Sequence, residues 1–353
     1  MKKQIQITLG ALALLLFPFS ASAQEDISSI FKAGGAIGTL AEGYLKPAGV
    51  GFAAGLGSNW YNTAATHSVL GFDLTIGASV SFVPTSEQNF NITGIPNISP
   101  VNPSVTTAPT FGGSGSGVDL QLKNGSTVIS TFKTPDGISK YMPSANIQLG
   151  IGLPLGTDIT IRYSPDLKFK GMNVGLWGVG VKHNVKQWIP VVNMLPFDAS
   201  VMVAYTNFGL DYAFDSQLKA DNLVSNPAML NRTTVDDSKS VNQGFKIHAD
   251  ALMANFILSK SFLFFTPYVG VGITRTNFSL DFTGSYPTLG AATLPIPVVY
   301  RTSADLPKVS YSEIMPGTTV GFRMKLFFIT ALHAQYTFQK YPTASVGFGI
   351  NFR

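Results

Sequence analysis

Lys246, His248 and Asp250 stand at alternate positions, so in an extended chain all three side chains leave one face. An amine, an imidazole and a carboxylate within mutual reach are the raw material of acid–base chemistry. No nucleophile completes them: the Gly/Ser-rich run 112–117 lacks Gly-x-Ser-x-Gly spacing, and the chain has no cysteine. His67, His183, His248 and His333 are the four histidines, and no two fall at metal-ligand spacing. No phosphate-binding loop, zinc motif or calcium loop occurs. The residues therefore imply neither an enzyme nor a cofactor. What remains for such groups is a structural network or a charged lining, and the elements that carry them decide between the two.

Of 353 residues only 12% are charged, against about 25% in soluble globular proteins, and 35 are glycine. That is too little charge for a water-facing surface of this size. Met1-Lys2-Lys3, the apolar run Leu9–Phe19 and Ala21-Ser22-Ala23 have the layout of a secretory signal peptide over 1–23. Its removal takes the net charge from +5 to +3, too little for nucleic-acid binding. Without cysteine there is no lipid anchor at the cleavage site and no disulfide scaffold. No later apolar run reaches the ~18 residues of a transmembrane helix. An outer-membrane β-barrel and a secreted β-sandwich remain.

Alternation separates them, because a barrel strand in lipid is apolar at every second position over about 9–11 residues. Leu70, Phe72, Leu74, Ile76, Ala78, Val80 and Phe82 alternate with Gly71, Asp73, Thr75, Gly77, Ser79 and Ser81. Similar alternation recurs over 145–153, 157–163, 172–184, 198–212, 243–259, 264–282, 309–326, 329–340 and 344–353. The opposite faces carry Gly, Ser and Thr where a sandwich would carry charge. The expectation is an all-β fold, a transmembrane antiparallel barrel of ten strands in the cell outer membrane. Twelve result if the hairpin around Asn124-Gly125 joins it. Long connections 84–144, 213–242 and 283–308 lie at one end, outside the cell by the usual asymmetry of such barrels. Trp177, Trp188, Tyr268 and Tyr336 suit the interfacial belts.

The same alternation assigns Asp73, Asp158, Arg162, Lys182, Lys246, His248, Asp250, Arg323, Lys325 and His333 to the lumen. There they form either an ion-pair network that rigidifies the barrel or a pore lining that selects by charge.

Residues 24–66 precede the barrel at 67–353. Ile27, Ile30, Phe31, Ile37, Leu40, Ala41, Tyr44 and Leu45 follow a helical period, with Asp26 or Ser28 as cap and Pro47 as stop. The glycine-rich run 48–60 reads as a strand, but an extra strand makes the count odd. Parity therefore favours 24–66 as a helical, glycine-rich plug, in the lumen or at its periplasmic mouth.

Gly57-Ser58-Asn59-Trp60-Tyr61-Asn62-Thr63-Ala64-Ala65, leading into Leu70-Gly71-Phe72-Asp73-Leu74, resembles the hatch-to-first-strand junction of FadL-type outer-membrane transporters. That family's Asn-Pro-Ala element corresponds to Asn62-Thr63-Ala64, with Thr63 in place of proline. The resemblance covers about 25 residues and implies a plugged barrel, of fourteen strands in that family, passing long-chain fatty acids and other hydrophobic compounds. A separate outer-membrane barrel family of similar layout is the other reading. The C-terminal alternation Val346, Phe348, Ile350, Phe352 resembles the signal read by the barrel-assembly machinery, with Arg353 displacing the terminal aromatic. Expected partners are outer-membrane lipid, that machinery, periplasmic chaperones and a small hydrophobic ligand. The functional expectation is passive transport of small hydrophobic molecules, with Ile30, Phe31, Ile37, Leu40, Tyr44, Trp60 and Tyr61 as substrate contacts. The alternative is a structural or adhesive surface protein with a sealed lumen.

Overall fold

Strands that expose an apolar face to lipid must still pair every backbone N–H and C=O, which only a closed sheet achieves. The computed structural model describes residues 29–169, 171–190, 194–290, 294–327 and 329–352, and it closes. The expected signal peptide and the caps Asp26 and Ser28 lie outside the described residues. The barrel strands are β1 Phe72–Phe82, β2 Tyr141–Leu153, β3 Thr157–Phe169, β4 Met172–Asn184 and β5 Asp198–Ala213. They continue as β6 Gly244–Ser259, β7 Phe265–Thr283, β8 Val309–Leu326, β9 Thr330–Phe338 and β10 Thr343–Phe352. Each pairs antiparallel with its chain neighbours, and β1 closes on β10 from Phe72↔Phe352 to Ser81↔Thr343.

The count is ten, neither the twelve left open nor the fourteen that the resemblance carries. The hairpin Asp119–Asn124 with Thr127–Lys133 stands apart, in a three-stranded sheet with Ile98–Pro100. Its strands of 6 and 7 residues are too short to span a bilayer. Long connections gather at one end, as expected. The wall is uneven there: β5 to β8 run 16 to 19 residues, whereas β9 and β10 have 9 and 10.

Outward residues are apolar over the membrane's depth, among them Ile76, Val203, Val271, Ile273 and Val346. Trp177 and Tyr205 stand ring to ring on the outer wall at 5.5 Å, and Trp188 is exposed beyond β4 at the short-turn end. Tyr268 departs from the expected belt. Its position on β7 faces inward, where it is buried and bonded to the Gln335 amide at 2.9 Å.

The lumen is occupied. A 3₁₀ turn Phe31–Ala36, with Gly34 at φ 58°, leads into helix α1, Ile37–Leu56. No helix among the described residues is long and apolar enough to cross a membrane by itself. Two sequence expectations fail here for one reason. Pro47 does not stop the helix, and 48–56 are helical rather than extended. Proline removes the bond to the Gly43 carbonyl one turn back, and beside it the Tyr311 hydroxyl ties the helix to the wall by donating to the Glu42 carbonyl at 2.8 Å. The glycines serve close approach: a Cβ on Gly49 would meet the Phe278 ring at 2.5 Å, and one on Gly55 would meet Ser144 Oγ at 2.5 Å. Packing in the lumen thus overrides weak helix propensity.

Beyond Leu56 the chain descends without regular structure to β1. Phe31 sits at the long-loop end, stacked on Tyr286 at 4.5 Å, while Gly71 abuts Phe352 at the short-turn end. The leading segment therefore traverses the whole lumen, rather than stopping at one mouth.

Candidate functional site

The last turn of α1 presents carbonyls that no residue of the helix can satisfy. Arg162, on an inward position of β3 and only 1% exposed, donates to the Leu56 carbonyl at 2.9 Å and to that of Ser58 at 2.7 Å. Thr206 of β5 also donates to Leu56. A guanidinium at a helix C-terminus meets the negative end of the dipole. The Trp60 ring lies 3.8 Å from it, a cation–π contact on the other side.

Below this, wall side chains meet several backbone groups of the descending chain. Ser200 donates to the Ala64 carbonyl, the Ala64 N–H donates to Ser259, and Lys182 donates to the Ala65 carbonyl. Asp158 accepts from the His67 backbone at 2.9 Å, lies 3.0 Å from His67 Nδ1 and pairs with Lys182 at 3.0 Å. His67 Nε2 is 3.3 Å from Asp73 and 3.1 Å from the Asn351 amide. His333 meets Asn59 at 2.7 Å, and Asn59 reaches the Val346 carbonyl. Arg323 is buried beside His333 in register, and Lys325 lies on the same inward alternation at the exposed short-turn rim. Among the described residues no group of three or more His, Asp or Glu could hold a metal.

The other three residues assigned to the lumen are not in it. Lys246, His248 and Asp250 project from the outer wall of β6, and Phe245, Ile247, Ala249, Ala251 and Met253 face in. The assignment rested on a polar interior, and here the upper lumen is filled by an apolar helix, which inverts the pattern.

The seven proposed substrate contacts are all buried: Ile30, Phe31, Ile37, Leu40, Tyr44, Trp60 and Tyr61. Tyr44 donates to the Asp136 carbonyl, and Tyr61 accepts from Asn255. Most of their surface is spent on packing against wall or cap, and Ile37 also borders a cleft in the cap.

The cap holds what the sequence did not disclose. The hairpin Ser285–Leu289 with Val298–Thr302 faces the sheet containing Asp119–Lys133 across a cleft of about 840 Å³. Its floor is Gly34, Gly35 and the first turn of α1. Leu122, Ile129, Leu289 and Val299 give apolar walls, and Lys123, Arg301 and Asp305 give charge. Nearby, Glu87 accepts from Tyr341 and Lys340, and Lys340 also pairs with Glu313 at 3.1 Å, tying the cap to the β9–β10 turn. Burial pushes the Glu87 carboxyl up, but the bonds from Lys340 and Tyr341 outweigh it and hold the group below the ordinary range. Burial raises the Tyr286 hydroxyl, which brackets the backbone of Gly244.

A closed antiparallel barrel with an apolar outer band and a lumen filled by its own leading segment defines the class: this is an outer-membrane-type β-barrel. The chain belongs to the family of unknown function DUF6588, which it matches over residues 1–352. No curated protein matches it. Among solved structures it is similar to Neisserial surface protein A, at 10% identity over 80% of this chain and 97% of that one, with a TM-score of 0.25. It is similar to the toluene transporter TbuX of Ralstonia pickettii at 6% identity, over 81% and 90% of the two chains, with a TM-score of 0.23. The outer-membrane protease OmpT of Escherichia coli shares 7% identity over 82% of this chain and all of its own, with a TM-score of 0.30. Likenesses this faint carry nothing about the work this chain does.

Proposed function

We propose that this protein is an outer-membrane surface protein whose lumen is kept shut by residues 30–67 and whose working face is the cap. One observation carries the reading: the seven residues expected to receive a solute inside the barrel are buried, and of these Ile37 alone borders the cleft. The cleft of about 840 Å³, by contrast, is open and within the size of small-molecule sites. A small ligand or a partner surface engages the cap, and the barrel serves as anchor. The apolar alternation of β10 supports delivery by periplasmic chaperones and the barrel-assembly machinery.

A second reading, gated passage of small hydrophobic molecules, is favoured by the cleft floor. A solute lodged there touches Gly34, Gly35 and Ile37, the start of the plug itself. Uptake of a hydrophobic dye, against a small polar sugar, in vesicles carrying the full protein or a form lacking 25–60 decides between them. The sealed reading expects no flux of either solute through the full protein and leakage of both after deletion. Selective dye flux through the full protein replaces it with the gated one.

A further inference from the structure

The outward face of β4 to β7 changes character within one row of the sheet. Val179, Tyr205 and Leu252 are cross-strand neighbours facing lipid, with the exposed Arg275 closing their row on β7, and the next row reads Trp177, Asn207, Asp250 and Asn277. The row above that reads Gly175, Gly209, His248 and Ser279, followed by Asn173, Asp211, Lys246 and Asp281. The Lys246, His248 and Asp250 trio thus belongs to a polar panel directly above the apolar band, on the side of the wall that faces the membrane.

The panel is not flat. Gly175 and Gly209 are paired across β4 and β5, so two adjacent side chains are missing; a Cβ on Gly209 would meet nothing within 4 Å, whereas one on Gly175 would meet the Asp166 carboxylate at 2.5 Å. Around this floor lies a hollow of about 460 Å³, with Tyr163 and Trp177 as its lower sill and Asp166, Asp211, His248 and Lys246 on its rim. Aromatic rings of this kind mark the depth of the lipid headgroups. A bilayer therefore brings to the hollow the headgroups of its own outer leaflet, held at that height by their acyl chains.

We propose that this hollow binds the saccharide headgroup of an outer-leaflet glycolipid. The open floor at Gly209 admits the edge of a sugar ring, the Trp177 ring offers an apolar surface to its C–H groups, and the rim carries three carboxylates. Asp166, Asp211 and Asp281 are acceptors only, matched to the many hydroxyl donors of a sugar rather than to a phosphate. Lys246 is 3.8 Å from Asp211 and Lys308 is 4.0 Å from Asp281, so three carboxylates stand against two amines and the rim has no cationic excess. This inference rests on the barrel spanning the outer membrane.

Full-length protein is reconstituted in phosphatidylglycerol vesicles with or without a core-saccharide glycolipid, extracted in mild detergent and weighed intact by native mass spectrometry. Protection of the barrel from protease in the vesicles, scored first, tests the membrane reading separately; its loss overturns both. With insertion intact, the wild type is expected to retain glycolipid and not phosphatidylglycerol, and the deacylated saccharide to displace it. Gly209→Leu builds into the hollow from a Cβ that meets nothing within 4 Å and is expected to lower retention at least about tenfold, the loss of one set of good contacts. Ser310→Leu, in the same row on β8, leaves retention unchanged. Equal retention by Gly209→Leu, equal retention of phosphatidylglycerol, or failure of the free saccharide to compete overturns the proposal.

Discussion

The upper and lower halves of the lumen are built from opposite materials. Around α1 the wall offers Phe208, Leu210, Ile247, Phe278 and Leu280, with Phe52 edge-on to Phe208 at 4.8 Å. Around the chain between Leu56 and β1 it offers Asp158, Arg162, Lys182, Ser200, Thr206 and Ser259. The plug's own conformation explains the change. A helix satisfies its backbone internally and asks only for apolar contact, whereas an irregular chain leaves N–H and C=O groups that the wall must meet. The boundary falls at Leu56, where Arg162 and Thr206 receive the last helical carbonyls.

This contrast breaks first at Arg162. Arg162→Met keeps the bulk but strands the buried Ser58 carbonyl and leaves that of Leu56 to Thr206 alone, so a loss of about 3 kcal/mol is expected in unfolding followed by heat-modified gel mobility. A loss below about 1 kcal/mol dissolves the distinction between the halves. Asp158→Asn leaves Lys182 with a weakened partner in a site it shares with His67 and should cost about 3 kcal/mol. The double variant Asp158→Asn/Lys182→Met should recover part of that. In the upper half Gly49→Ala drives a methyl into the Phe278 ring, and its expected cost is about 1–2 kcal/mol even after the gain in helix propensity. Phe52→Leu removes an aromatic pair but keeps an apolar filler, for about 1 kcal/mol by the same assay.

The smallest effect concerns the cap. Glu87 is held below its ordinary value of 4.5, so its contribution is present above that pH and is lost as pH falls through the depressed value. Burial lowers Lys340, but its bonds to Glu87 and Glu313 prevail and raise it above 10.5, so its contribution is full below that pH and lost above. Protease resistance of residues 83–140 should therefore be flat between these limits and fall at the acid end. The effect stays under about 1 kcal/mol because Lys340 is partly exposed. Glu87→Gln should remove the acid limb.

The ten strands could be read from the sequence because lipid enforces period-two alternation, and β1 and β10 show it over their whole length. The top of β6 was misread for a physical reason. Above the apolar band both solvents exchange places: Ile247 faces a helix inside and His248 faces headgroups or water outside. The glycines of α1 looked extended because their service is to neighbours far away in sequence, such as Phe278 and Ser144. Asp158, Arg162 and Lys182 could be listed as inward residues, but not their partners, since Leu56, Ser58, Ala65 and His67 are bound mainly through main-chain groups that carry no sequence signature. The cleft was invisible for the same reason, being made by two hairpins more than a hundred residues apart.

The threaded lumen also fixes a sequence of events in time. The ring is completed by the pairing of β10 with β1, and the finished ring encircles a cord tied to it at His67, Ala64 and Leu56. Drawing that cord through a finished ring would strip and remake every one of those bonds, so the economical order is cord first and closure last. Biogenesis of this barrel is then less like planting a tube than like lacing a shoe around a foot already inside it.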